Sequence, residues 1–158
     1  MSTAGESPSA VVHVNIPVRE RGPQRAAGPS VLTLPMTIDA LGVGITVRYA
    51  SAGELPADAK GFWRTTDENA GEVVLRPGLP PVGEFIVLVH ELLHAMDDIL
   101  KANGTTSRRV AHAWIEGGAF GLATLLIFLG VVKGLTPEMW EAFVDEVGPD
   151  EMTGGAPC

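Results

Sequence analysis

The chain has 158 residues and a mass of 16.6 kDa, 46% of it hydrophobic and 19% charged, which fits one domain and not two. With 11 basic residues against 19 acidic ones its formal charge is −8, and no basic stripe offsets it, so approach to a phosphate backbone is penalised and nucleic acid is not expected as a partner. The single cysteine, Cys158, has no intrachain partner, which excludes a disulfide framework and a cysteine-ligated zinc, and a reducing, cytoplasmic setting is the expectation.

In chain order, residues 1–30 read as a tail and linker: Met1 to Ala10 lacks a secretory pattern, Val11 to Val18 alternates as an edge strand would, and Arg19 to Ser30 has no periodicity. His13 lies in this tail and carries no further signal. The folded domain is expected over residues 31–148. Ile45 to Ala50 is β-branched, and Gly61 to Thr66 and Glu72 to Arg76 flank a polar turn, together predicting a small antiparallel sheet containing a hairpin.

Prolines 77, 80 and 81 stop the sheet, and Val82 to Lys101 predicts a first long helix, ended by Asn103 and Gly104. Thr105, Thr106 and Ser107 offer cap hydroxyls to a second helix from about Arg108 to about Leu129. Thr136, Pro137 and Glu138 then form a cap, first-position proline and first-turn acid for a third helix through Val147, with residues 149–158 as a frayed tail. The fold class is therefore α+β: a small antiparallel sheet with a hairpin packed on two long helices, plus a C-terminal helix. Gly117 to Val132 is free of charge, but its 16 residues fall short of the about 20 that a membrane span needs, so a core helix is expected there and no membrane partner.

The first long helix carries His90, Glu91, Leu92, Leu93 and His94, a His-Glu-x-x-His pattern. Four residues along a helix turn about 400°, so the two imidazoles stand about 40° apart on one face and one turn apart, able to grip one zinc ion. Glu91 is rotated about 100° from His90, beside the metal and not on it, where a carboxylate can take a proton from a water acidified by the ion. Burying two histidines and a glutamate among Phe85, Ile86, Val87, Leu88 and Val89 without a partner would cost several kcal/mol.

Catalytic zinc usually takes three protein ligands, so a third is required. Glu116 is the leading candidate, since an antiparallel helix pair joined by a short turn returns it opposite the histidines, and Gly117 and Gly118 allow close approach. His112, four residues earlier on the same face, can instead bind a substrate oxyanion, orient a ligand or replace Glu116 on zinc. Asp97 shares the face of His90 but stands about 10 Å along the axis, suited to supporting the site or pairing with Arg108 or Arg109. Tyr49, the only tyrosine, can polarise a scissile carbonyl if it lies near the metal.

The hairpin, the Leu79 to Pro81 turn, the His90–His94 helix and a second helix with Glu116, Ala119 and Ala123 resemble the zincin metallopeptidases. More narrowly they resemble the minimal gluzincin-like proteins related to the ImmA/IrrE family of bacteria, phages and mobile elements. The resemblance spans Ile45 to about Leu129. It implies a zinc-dependent peptidase with His90, His94 and Glu116 as ligands and Glu91 as general base, acting on a peptide or protein laid along an edge strand. Glu72, Val73, Val74, Leu75 and Arg76 are the candidate strand. The alternative is a zinc-stabilised structural or binding protein without turnover, of phage or mobile-element origin, whose apolar second helix packs on another subunit.

Overall fold

The computed structural model describes residues 30–105 and 110–147. Over this range the chain is α+β, with strands β1 (Met36–Ala40), β2 (Val43–Tyr49), β3 (Gly61–Asp67) and β4 (Ala70–Leu75) followed by helices α1 (Pro81–Ala102), α2 (His112–Phe128) and α3 (Pro137–Val147). The alternating segment at Val11–Val18 and the tail from Pro149 lie outside the described residues, as do Arg108 and Arg109.

β1 and β2 form a tight hairpin because Leu41 and Gly42 both hold positive φ, 55° and 82°, the combination that matches strand twist. The hairpin over Gly61–Leu75 forms as expected. The sheet order, however, is β1-β2-β4-β3, and β2 pairs with β4 in parallel, so the sheet is mixed where an antiparallel one was expected. The cause is visible in β4: Val73, Val74 and Leu75 are each fully buried, and such a run suits a strand covered by neighbours on both edges better than one at the rim.

Ile45 and Val47 of β2 and Val73 and Leu75 of β4 project into one core with Phe85, Leu88 and Val89 of α1. Pro81 occupies the first turn of α1, where its missing N–H costs nothing. The buried face of α2 toward the core is Ile115, Ala119, Ala123 and Ile127, of which the two alanines let the helices approach closely. α3 starts as expected, with the Met139 N–H reaching the Thr136 hydroxyl at 3.3 Å, and closes the assembly with Trp140 against Phe120 at 4.8 Å between ring centroids.

α2 begins at His112, later than the hydroxyl-capped start expected near Arg108. Ala111 is extended, with φ −62° and ψ 135°, and offers no side-chain cap. The Val110 N–H instead reaches the Asp97 carboxylate at 3.4 Å, tying the incoming chain to α1. This shift decides which α2 side chains face the histidine motif.

Candidate metal centre

On α1 the Nε2 atoms of His90 and His94 lie 3.1 Å apart, as one helical turn between inward-turned imidazoles dictates. His112, the first residue of α2, brings in a third ring, its centroid 5.1 Å from that of His90 and 5.3 Å from that of His94. One donor nitrogen from each lies within 4.8 Å of the others, the group among the described residues able to hold a metal ion. Nitrogens bound to tetrahedral zinc at about 2.0–2.1 Å sit about 3.3 Å apart, so the α1 pair is close to ligating separation and the set fits zinc in number and chemistry.

The same crowding controls protonation. Burial first, then the neighbouring His94 and His112, push His90 down to about 4, which keeps its ring neutral at pH 7 and its lone pair available to a cation.

Glu116, expected as the third ligand, stands outside this three-nitrogen group. Its Oε1 lies 3.4 Å from His112 Nδ1, one turn along α2. A carboxylate there can orient the imidazole through its Nδ1. The arrangement follows from the late start of α2: its first turn, not its second, comes level with His90 and His94.

Glu91 is 7% exposed and faces a cavity of about 560 Å³ whose lining also includes His94, His112, Phe62 and Trp63. Burial pushes its carboxyl up to about 7, opposed by a hydrogen bond from the Trp63 backbone. Asp97 and Asp98 line the same cavity, so Asp97 stands beside the histidines in a supporting position. Asp98 accepts a hydrogen bond from Trp63 Nε1 at 3.1 Å.

Two expected site elements lie elsewhere. The Tyr49 hydroxyl donates to Glu84 Oε1 at 2.6 Å, and Ser30 Oγ donates to Glu84 Oε2 at 2.6 Å. Glu84 is 1% exposed and six residues before His90, about 9 Å along α1, so the phenol is committed to a buried carboxylate and is not a lining group of the cavity. β4, with Glu72, Val73, Val74 and Leu75, is interior to the sheet and hydrogen-bonded on both sides, and Arg76 follows it with its N–H bonded to Lys60 O. It therefore has no free edge to offer a peptide. The outer edge on the cavity is that of β3, through Gly61, Phe62 and Trp63, with the Trp63 backbone N–H given to Glu91.

Sequence reasoning did not find the β3 contribution. Trp63 reaches the site because its ring lies over Gly71 of β4, where an added Cβ would come within 1.8 Å of the indole. A glycine diagonal to a tryptophan across a hairpin, two residues from its direct partner Val73, is the one local signal that could have pointed there. Comparison with protein-family models, curated proteins and solved structures gives no match to this chain.

Proposed function

We propose that the protein is a zinc-dependent metallopeptidase, with His90, His94 and His112 as ligands, Glu91 as general base and Glu116 as the group that orients His112. The observation that carries this reading is the convergence of three imidazoles, two of which, His94 and His112, line a cavity bordered by a sheet edge together with the buried carboxylate of Glu91. The resemblance of the His90–His94 segment to zincins supports the same reaction class.

An extended peptide adds to the outer edge of β3, with main-chain hydrogen bonds setting its register and the cavity receiving a side chain. His90, His94 and His112 would hold a zinc ion, which when bound would supply a Lewis acid to polarise a carbonyl and acidify water. Glu91 takes a proton from the attacking water and delivers it to the departing amine as the C–N bond breaks.

The test is hydrolysis of a quenched-fluorescent peptide library by the zinc-loaded chain and by Glu91→Gln. Cleavage by the first and a loss of about 10²-fold or more in the second, with zinc content unchanged, is expected. Equal cleavage by both would remove Glu91 from the role of base, and no cleavage by the zinc-loaded wild type would overturn the peptidase and leave a zinc-stabilised binding protein.

A further inference from the structure

α2 is apolar on both sides. The side turned away from α1 exposes Trp114, Leu125, Phe128 and Leu129 at 67%, 53%, 52% and 66%, with Leu122 beside them. At about 100° per residue these positions and Gly117 and Gly121 fall within an arc of about 140°, one continuous stripe. A Cβ built on Gly117 or Gly121 meets nothing within 4 Å, so the stripe has a shallow bare groove between large side chains.

We propose that this face of α2 is the interface of a symmetric dimer with a second copy of the chain. A surface that carries both a groove and the knobs to fill one is self-complementary, which is what a two-fold interface requires. With about 150–250 Å² per large aromatic side chain and less for leucine, the exposed part of the stripe comes to roughly 600 Å², the upper end for a monomer's largest apolar patch. Two copies together bury on the order of 1,200 Å², the lower edge of the range for stable specific interfaces.

Charge selects the occupant. The stretch from Gly117 to Val132 has no ionisable side chain in a chain of net charge −8, so two copies meet there with the least mutual repulsion. An anionic lipid surface is disfavoured by the same net charge, and no helix of the described residues is long and apolar enough to cross a membrane. The inference is independent of the metal centre.

Light scattering after size exclusion on the full chain, from about 1 to 100 μM, tests it. The expected result is a mass twice the 16.6 kDa of one chain, reduced to one chain mass by Leu125→Glu and by Gly121→Leu. Both positions are open to solvent in a single chain, and replacing a helical glycine with leucine favours the helix, so circular dichroism and melting temperature should be kept. A monomer throughout that range would overturn the proposal, whether the face is left bare, covered by the chain's own segment or bound to neutral vesicles in flotation. So would a dimer that survives both substitutions.

Discussion

A buried carboxylate that accepts two hydroxyl donors is satisfied; with one donor removed, part of its desolvation cost returns. Glu84 is such a group, held by Tyr49 and Ser30. Burial first, then the Glu84 hydrogen bond, raise the Tyr49 phenol, which stays protonated and donating at neutral pH. Tyr49→Phe should therefore lower unfolding stability by about 1–3 kcal/mol while zinc content and peptide cleavage are retained. Loss of cleavage at unchanged stability would instead return Tyr49 to the reaction. The histidine motif itself was legible, because its spacing acts within one helix. The role of Tyr49 was not, because nothing local to a β-strand tyrosine says which turn of a distant helix lies beneath it.

Local signals also set the element boundaries that were read correctly. Pro81, Asn103 and Gly104 bracket α1, and Thr136 with Pro137 opens α3, each through backbone groups within a few residues. The parallel pairing of β2 with β4 and the start of α2 at His112 depend on partners far along the chain, and those expectations failed. Because that start sets which α2 side chain approaches the histidine pair, spacing alone could not show that His112 clusters with His90 and His94 and that Glu116 lies beside His112.

Two predictions belong to the sheet. Gly71→Ala forces the Trp63 ring off β4 and breaks its bond to Asp98, so it should cost about 1–3 kcal/mol and reduce cleavage with zinc retained. Unchanged cleavage would show that the β3 wall is not used. Glu72 bridges Arg48 and Arg64, and Arg48 first, then Arg64, hold its carboxyl below its ordinary value. A carboxyl lowered on folding stabilises the native state above the unfolded value of about 4.3, and that contribution is lost as pH falls through the folded value. For a partly exposed pair it is on the order of 1 kcal/mol or less, so chemical denaturation from pH 7 to 3 should show a shallower loss of stability in Glu72→Gln than in wild type. Parallel curves would show that the bridge does not contribute.

At the scale of the molecule, the histidine cluster spans two elements that otherwise meet through apolar side chains. His90 and His94 come from the middle of α1, and His112 from the first turn of α2. A metal held across that seam stabilises the native chain by mass action, about 2.7 kcal/mol at a hundredfold excess over its dissociation constant. Of the three clustered nitrogens, α1 carries two and the packing of α2 brings in the third.

The most direct measurement is zinc content by elemental analysis of the dialysed full chain beside His112→Ala and Glu116→Gln, with folding checked by circular dichroism. About one zinc per chain is expected in the wild type, with loss in His112→Ala and retention in Glu116→Gln at about 10–100-fold weaker affinity. Full zinc in His112→Ala together with loss in Glu116→Gln would contradict a three-histidine centre and restore the carboxylate as the third ligand.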